Sequence, residues 1–328
     1  MHLVTGATGL IGSFICRVML EAGYSIRALK RKTSDMSLVN DIQSEIEWVE
    51  GDLLDVMSLE KNMEGVTGVV HSAAFISYDS RDEPMMQKIN VEGTANMVNV
   101  ALKQNINHFL HLSSVAAVGK KTPDNLIDET RTIDQDDQLT GYARSKWLSE
   151  VEIWRGIAEG LPAVILNPSL VLGPGDWEKS STQLFKYIKE EKRFYTTGLV
   201  NYVDVRDVAQ AALRTIKQKT IGERYIISAE SVSYKQLFDM MADALGKRPP
   251  SIKINASTIK WLSRLDRVRT LLTHQKPLVT DELAQVARNK HTYNNQKAVE
   301  TLSIEFRSLN ETIQWCSEEL FKKEEKNT

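Results

Sequence analysis

The segment Met1-His-Leu-Val-Thr-Gly-Ala-Thr-Gly-Leu-Ile-Gly12 decides the fold. A short apolar strand, His2–Thr5, leads directly into three glycines, and a helix-compatible apolar run follows from Leu10 to Leu20. The spacing G-x-x-G-x-x-G lacks the Gly-Lys-Ser/Thr ending of a P-loop, which makes nucleoside-triphosphate binding the weaker interpretation. Strand, glycine turn and helix in this order predict a dinucleotide-binding unit, and a plain strand–helix turn is the alternative.

Each glycine has its own task in such a unit. Gly6 would permit the tight turn, Gly9 would let the backbone approach a pyrophosphate, and Gly12 would let the helix pack close to the sheet. The free N–H groups and the positive dipole end of the helix would face the phosphates. The cofactor contacts predicted in this segment are Gly6, Thr8, Gly9, Leu10, Ile11 and Gly12.

The composition narrows the class of protein. The chain has 328 residues, 42% of them apolar, and a formal net charge of −2 without a dominant basic run, so we expect no nucleic-acid partner. Only Cys16 and Cys316 are present, which excludes a disulfide scaffold. No apolar stretch reaches about 18 residues, and the first strand begins at once, so we expect a cytoplasmic protein without a membrane span or a signal peptide.

The first half alternates short apolar runs with helical patterns. This order predicts an α/β fold, a Rossmann-type doubly wound parallel sheet with helices on both faces. The predicted strands are His2–Thr5, Ser25–Lys30, Ile46–Glu50, Gly68–Ser72, His108–Ser113 and Ala163–Asn167. The predicted helices are Leu10–Ala22, Leu53–Met63, Met85–Gln104 and Thr140–Glu159.

The second half is less regular after the break at Gly173-Pro174-Gly175-Asp176. We expect residues 1–172 to form the dinucleotide-binding domain, with 200–230 returning to it, and 173–199 and 231–328 to form a smaller C-terminal substrate-binding lid. The predicted elements are strands Tyr202–Val205 and Glu223–Ser228 and helices Ser180–Lys192, Arg206–Lys217, Val232–Leu245, Ile259–Leu272 and Asp281–Lys290. Lid residues that either line an apolar pocket or form ordinary core are Trp261, Leu262, Leu265, Leu271 and Leu272.

The end of the second strand bears on the choice of cofactor. An acidic residue there favours NAD by bonding the ribose 2′-hydroxyl, and a basic residue accommodates the 2′-phosphate of NADP. Here the strand ends Ala28-Leu-Lys-Arg-Lys32, and Arg31 would take a phosphate bidentately. We therefore predict NADP(H) in preference to NAD(H), with a solvated basic loop as the alternative.

The next two strand ends offer further contacts. Asp52 would accept the adenine amino group or cap the following helix, and Leu53 would pack on the adenine ring. His71 is expected to be a core residue, and the small residues Ala73 and Ala74 would let the cofactor pass closely. Asn90, in an otherwise apolar helix, would brace the loop after the fifth strand, because a buried amide needs partners.

One tyrosine stands out among nine. Tyr142 and Lys146 are four residues apart, on one face of a predicted helix. A nearby ammonium stabilises a phenolate, so Tyr142 would serve as a general acid or base near neutral pH. Tyr142 lies about thirty residues after the fifth strand, which ends Leu112-Ser113-Ser114 and would offer a hydroxyl to a substrate carbonyl. Tyr293 also has a lysine four residues on, but it has no such partner nearby in sequence.

These motifs fall in the order of a known family. They are Thr5-Gly-Ala-Thr-Gly-Leu-Ile-Gly12, Gly51-Asp52-Leu53, Asn90-Val-Glu-Gly-Thr94, Ser113-Ser114, Tyr142-x-x-x-Lys146, Asn167-Pro-Ser-Leu-Val-Leu-Gly-Pro174 and Val203-Asp-Val-Arg-Asp-Val-Ala-Gln-Ala211. With them nearly the whole chain resembles the extended short-chain dehydrogenases/reductases, the NAD-dependent epimerase/dehydratase superfamily. Within these it looks most like the dihydroflavonol-reductase-like branch, which neighbours the 3β-hydroxysteroid dehydrogenases.

The resemblance implies a catalytic triad of Ser114, Tyr142 and Lys146. Tyr142 would protonate the carbonyl oxygen, Lys146 would lower the tyrosine pKa and bind the nicotinamide ribose, and Ser114 would orient the carbonyl, with Ser113 as the alternative serine. The cofactor contacts expected beyond the glycine turn are Arg31, Asp52, Leu53, Ala73, Ala74, Asn90, Ser113, Tyr142, Lys146, Pro168 and Ser169. No metal ligand is predicted.

One departure favours a branch. Sugar-nucleotide epimerases and dehydratases of this family often carry an arginine that grips the diphosphate, and the matching position here is Val200. We therefore expect an NAD(P)-dependent oxidoreductase that passes hydride between nicotinamide and a carbonyl or secondary alcohol of a small apolar or ring substrate. An epimerase or dehydratase with tightly bound NAD is the alternative, and a non-catalytic dinucleotide sensor is a third hypothesis. The family often forms homodimers through the helices predicted over Met85–Gln104 and Thr140–Glu159.

Overall fold

A seven-stranded sheet runs through the part of the chain that the computed structural model describes, which is residues 1–77, 79–120, 125–134, 137–179, 181–255, 258 and 290–327. The strands are β1 (His2–Thr5), β2 (Ile26–Lys30), β3 (Glu47–Glu50), β4 (Gly68–His71), β5 (His108–Leu112), β6 (Leu126–Ile127), β7 (Ala163–Pro168), β8 (Leu170–Leu172), β9 (Phe194–Thr196), β10 (Leu199–Asp204), β11 (Glu223–Ile227), β12 (Glu230–Ser233), β13 (Ile252–Ile254) and β14 (Thr292–Tyr293). The sheet has the order β11-β7-β5-β4-β1-β2-β3, and every pair in it is parallel. The doubly wound α/β prediction is confirmed.

Helices cover both faces of this sheet. They are α1 (Leu10–Glu21), α2 (Val56–Asn62), α3 (Glu83–Met86), α4 (Gly93–Lys103), α5 (Gly141–Ala158), α6 (Thr182–Lys189), α7 (Val205–Gln218), α8 (Tyr234–Leu245), α9 (Gln296–Leu302) and α10 (Leu309–Asn327). Apolar residues of α1 and α7 fill the core on one face, and those of α2, α4 and α5 fill it on the other. A π-helical segment, Gln87–Glu92, joins α3 to α4, so the helix predicted over Met85–Gln104 is continuous.

The second half forms smaller sheets beside the main one. Strands β8, β10 and β12 make a three-stranded sheet, and β9 pairs with β13 and β6 with β14. A third apolar core lies here, between these strands and α6, α8 and α10. By contrast, β11 returns to the seven-stranded sheet as its edge strand. The division into a dinucleotide-binding domain and a lid stays a prediction.

Some predicted boundaries were wrong. The helix predicted over Leu53–Met63 begins at Val56, because Asp55 caps it by accepting a hydrogen bond from the Ser58 N–H. Val232 belongs to β12, and α8 begins only at Tyr234, since the Ser233 side chain caps it. The helices predicted over 259–272 and 281–290, apart from Lys290, lie outside the described residues, as do Trp261, Leu262, Leu265, Leu271 and Leu272. Within the described ranges, no helix combines the length and the apolar character needed to span a membrane.

Candidate active site

The glycine turn has the shape that a pyrophosphate site needs. Gly6 has φ +70°, and a Cβ there would lie 2.7 Å from the backbone nitrogen of Ala73. A Cβ on Gly12 would overlap the carbonyl oxygen of Gly6, so α1 packs directly on the turn. Gly9 is the N-cap of α1, and no side chain caps the helix there, so its first turn presents backbone N–H groups to an anion. Thr8 and Ile11 are half-buried beside it, and Leu10 packs next to Gly173.

The residues predicted to contact the cofactor at the ends of β2 and β3 lie in different environments. Arg31 is exposed, and within the described ranges its guanidinium has neither a hydrogen bond nor an ion pair. Asp52 is exposed too, but its carboxylate accepts a hydrogen bond from the Leu54 N–H, and the helix N-cap is Asp55. The alternative of Asp52 as N-cap is therefore wrong. Leu53 is buried and lies against Gly93 of α4.

A hydrogen-bonded chain of neutral groups lies beneath Ala73, which is half-buried, while Ala74 is exposed. The Ala73 N–H donates to Thr5 Oγ1, which lies 2.8 Å from His71 Nδ1. His71 Nε2 lies 3.0 Å from Thr94 Oγ1, which donates to the Asn90 carbonyl. Because the Thr94 hydroxyl donates to Asn90, His71 Nε2 is the donor to Thr94 Oγ1, and Nδ1 of a neutral ring accepts from Thr5. Burial, assisted by the Lys146 charge, accordingly lowers the His71 pKa to about 3.

Asn90 is a brace, but not of the predicted loop. It lies in the π-helical segment and is 2% exposed. Its Oδ1 accepts a hydrogen bond from the Phe75 N–H at 2.7 Å, and its Nδ2 donates to the Phe75 carbonyl and to Ser145 Oγ. It therefore holds the segment after β4 against α5. The expectation that it would brace the loop after the fifth strand was wrong, because Asn167 fills that role.

Helix α5 presents the predicted Tyr/Lys pair. Thr140 caps the helix by accepting a hydrogen bond from the Ala143 N–H, so Tyr142 lies in the first turn and Lys146 one turn later. Lys146 is 3% exposed, and its Nζ donates to the Leu112 carbonyl at the end of β5 at 2.7 Å. Burial lowers the Lys146 pKa to about 8, against the opposing effect of Glu150. Tyr142 is half-buried.

The competing tyrosine is not arranged in this way. Tyr293 lies in β14 and Lys297 in α9, so they do not share one helix face. The Lys297 ammonium donates to Glu223 and to the Arg224 carbonyl. Burial raises the pKa of Tyr293. Of the two Tyr-x-x-x-Lys spacings, only the one in α5 places both residues on one helix.

The two serines after β5 occupy different environments. Ser113 is 6% exposed and lies beside Glu150; burial raises the pKa of Glu150, and the neighbouring Ser113 hydroxyl acts against that shift. Ser114 is half-buried, and its Oγ accepts a hydrogen bond from the Ala116 N–H, which leaves the hydroxyl proton free to donate. The geometry therefore favours Ser114 as the serine that meets a substrate.

Sequence reasoning missed two polar residues at this site. Glu150, buried on α5, accepts a hydrogen bond from Asn167 Nδ2 at 2.5 Å, and Asn167 also donates to the Ser114 carbonyl at 2.9 Å. The available signal was the carboxylate four residues after Lys146 on the buried side of a helix. Beyond Asn167, Pro168 is buried in β7, and Ser169 is buried with its N–H bonded to the Ile227 carbonyl.

The position that would grip a diphosphate is closed. Val200 is 4% exposed and belongs to the third apolar core, with Tyr202 and Val232 as neighbours on the same sheet. A charged arginine at this position would begin in an apolar core, where an unpaired charge is costly. In the described part of the chain, no group of three or more His, Cys, Asp or Glu side chains is placed to hold a metal ion.

The chain is similar in sequence and structure to known proteins. A family model described as "NAD dependent epimerase/dehydratase family" matches residues 2–228. A Synechocystis sp. protein named "Putative dihydroflavonol 4-reductase" is 30% identical in an alignment of length 319 that covers 94% of this chain and 91% of that protein. Cinnamoyl-CoA reductase 1 of Petunia hybrida is 31% identical in an alignment of length 247 that covers 71% of this chain and 73% of that protein. The crystal structure of gox2253 superposes with a TM-score of 0.85 at 30% identity, covering 99% of this chain and 98% of the other.

Proposed function

The chain belongs to the NAD dependent epimerase/dehydratase family as an NAD(P)-dependent oxidoreductase, and we propose that within this family it is an NADP(H)-preferring carbonyl reductase. Its substrate would be a small apolar or ring compound with a carbonyl group or, in the reverse direction, a secondary alcohol. By name, the two relatives reduce a dihydroflavonol and a cinnamoyl-CoA, and we carry over only the class of carbonyl compound. We also propose the lid division, cytoplasmic location and homodimer expected above.

The proposed chemistry assigns one task to each residue of the triad. The bound nicotinamide supplies or accepts the hydride. Tyr142 gives its phenolic proton to the carbonyl oxygen as charge develops there, and Ser114 orients that oxygen by a hydrogen bond. The Lys146 ammonium, held at the end of β5, stabilises the phenolate that Tyr142 becomes. The observation that carries this proposal is the buried, positively charged Lys146 one helical turn after Tyr142 and directly below Ser113-Ser114.

The preference for reduction over sugar-nucleotide chemistry rests on Val200. A nucleoside diphosphate needs cationic partners, and a buried apolar side chain at this position supplies none. The family as a whole includes epimerases and dehydratases, whose reactions begin with the oxidation of an alcohol by the same hydride transfer. Retention of tightly bound NAD would favour an epimerase or dehydratase. Binding of neither cofactor would contradict both.

The preference for NADP(H) rests on Arg31, whose exposed guanidinium would contact the 2′-phosphate. Titration with NADPH and NADH by nicotinamide fluorescence, at one salt concentration, tests it. We expect tighter NADPH binding and, in Arg31→Ala, a loss of roughly tenfold for NADPH with little change for NADH. The control is Arg214→Ala, which removes an exposed arginine of α7 and should change neither the NADPH affinity nor the NADH affinity.

The catalytic role is tested with a panel of aromatic and alicyclic ketones and aldehydes. We expect Tyr142→Phe to lose at least about 100-fold in the rate of NADPH oxidation, because a general acid contributes about 10²–10⁴-fold. Tyr293→Phe is the matched control and should retain the rate within about twofold. Equal rates for Tyr142→Phe and the wild type would refute the assignment of the general acid.

A further inference from the structure

A buried carboxyl group on α5 lies between an amide and a guanidinium. Glu150 is 2% exposed, and its Oε1 accepts from Asn167 Nδ2 at 2.5 Å. Its Oε2 lies 3.4 Å from Nη1 of Arg224, a guanidinium that is 11% exposed. These two neighbours meet different oxygens of the Glu150 side chain. A glutamine at this position would offer one acceptor oxygen where the glutamate offers two.

Asn167 transmits this constraint to the serine. Its Nδ2 also donates to the Ser114 carbonyl at 2.9 Å. Both partners of this nitrogen accept, so the orientation of the amide follows from them. The Ser114 carbonyl also accepts from the Ala117 N–H at 3.0 Å, so the Asn167 side chain connects the turn after Ser114 to β7.

Arg224 fixes the carboxylate from the opposite side. It projects from the edge strand β11, where its Nε donates to the Glu129 carbonyl at 2.7 Å and its Nη2 to the Arg131 carbonyl at 2.5 Å. The Glu150 side chain thus lies between a guanidinium anchored to the outer strand and an amide anchored to the serine turn. A side chain held at both oxygens has little freedom to reorient.

We propose that Glu150 is a positioning residue for the reaction: through Asn167 it holds the Ser114 backbone and so aims the Ser114 hydroxyl at the substrate carbonyl. The inference rests on the proposed role of Ser114 in carbonyl reduction. A merely structural glutamate would change the amount of folded protein but not the turnover of each folded molecule. A positioning glutamate changes turnover, and only while the Ser114 hydroxyl is present.

A double-mutant cycle separates these two roles. We expect Glu150→Gln to lower kcat about tenfold in the wild-type background and by less than about twofold in the Ser114→Ala background, because residues that act as one unit are not additive. NADPH affinity should stay unchanged. Glu152→Gln is the control, since that carboxylate pairs with Arg155 on the same helix. Equal losses of kcat in both backgrounds would overturn the proposal.

Hydrogen exchange tests the anchor without any turnover. Loss of the anchor would raise the opening rate of the turn, so in Glu150→Gln and in Asn167→Ala we expect the amides of residues 115–118 to exchange about tenfold faster. Exchange in β9 and β10, and throughout Glu152→Gln, should match the wild type. Unchanged exchange at residues 115–118 in both variants would overturn the proposal. If the wild type reduced no carbonyl, the proposed function would fail, and this experiment would still decide whether Glu150 holds the turn.

Discussion

The two faces of the seven-stranded sheet differ in chemistry along the same strands. On the face under α1 and α7, an apolar row crosses β1, β4, β5 and β7 in register: Val4, Val70, Leu110 and Val164. On the face under α4 and α5, the next row is polar for three strands: Thr5, His71 and His111. On the fourth strand, β7, the polar residue of this face comes two positions later along the strand and is Asn167.

The polar row lies where the residues of this face change from apolar to polar. On the α4/α5 face each strand carries an apolar residue and then, two positions on, a polar one: Leu3 and Thr5, Val69 and His71, Phe109 and His111, Ile165 and Asn167. These changes occur at the carboxyl ends of the strands, the edge at which open α/β sheets bind ligands. Thr94 of α4 contacts His71 of this row, and Glu150 of α5 contacts Asn167. One face therefore stabilises the fold, and the other carries the polar groups below the site.

Truncation of the apolar row should break the fold and spare the chemistry. Leu110→Ala removes a fully buried side chain, and we expect the free energy of unfolding to fall by about 2–5 kcal/mol, as for other core leucines. Turnover per folded molecule should stay within about threefold, because Leu110 faces away from α5. Denaturant titration and active-site-normalised kinetics measure the two quantities. A large drop in turnover of the folded fraction would contradict the division between the faces.

Replacement of the buried Lys146 should lower turnover without destabilising the fold. Burial lowers the Lys146 pKa from 10.5 to about 8, so at neutral pH the charged lysine destabilises the native state by roughly 3 kcal/mol. We expect Lys146→Met to lose at least about 100-fold in rate and to gain a few kcal/mol or less in stability at pH 7, because the lost bond to Leu112 offsets part of the relief.

The pH dependence of stability provides the control for this prediction. The folded pKa lies below the unfolded one, so the unfolded chain binds more protons between pH about 8 and 10.5. The wild type therefore gains stability from Lys146 as the pH rises through this window, and Lys146→Met lacks that gain. The difference in the free energy of unfolding between Lys146→Met and the wild type should shrink between pH 7 and 10.5. A constant difference would mean that the Lys146 pKa is the same in the folded and the unfolded protein.

The sequence predicts the sheet well because its signals are local. Each strand of the first half is a short apolar run, and the glycine turn between β1 and α1 needs glycine for reasons that involve only near neighbours and Ala73. Boundaries were wrong where a side chain competed for the helix N-terminus. Asp55, not Asp52, caps α2, and two aspartates three residues apart look alike in a sequence.

The site was only half predictable, for a physical reason. Tyr142 and Lys146 lie on one helix, so their spacing alone places them together. Glu150, Asn167 and Arg224 come from three elements, and no local pattern says that they meet. Asn90 was recognised as a buried brace, but its partner proved to be Phe75, because the π-helical segment turns its amide toward the chain after β4.

Two histidines in the polar row offer the finest test of the comparison. His71 and His111 are both 1% exposed, are opposite each other in register, and have ring centroids 5.3 Å apart. His71 connects Thr5 to Thr94, whereas neither ring nitrogen of His111 has a hydrogen-bond partner among the described residues. Burial lowers the pKa of both, so each is neutral at pH 7.

Replacement by leucine should therefore change the free energy of unfolding in opposite directions at His71 and His111. His71→Leu removes the ring that contacts the Thr5 and Thr94 hydroxyls, and we expect a loss of about 1–2 kcal/mol in the free energy of unfolding. His111→Leu replaces two unpaired buried polar atoms by an apolar side chain, so we expect no loss and a gain of up to about 1 kcal/mol. Urea denaturation of both variants at pH 7 measures the pair. A destabilised His111→Leu would show that the His111 ring nitrogens have a partner, and that the polar row is hydrogen-bonded across its whole width.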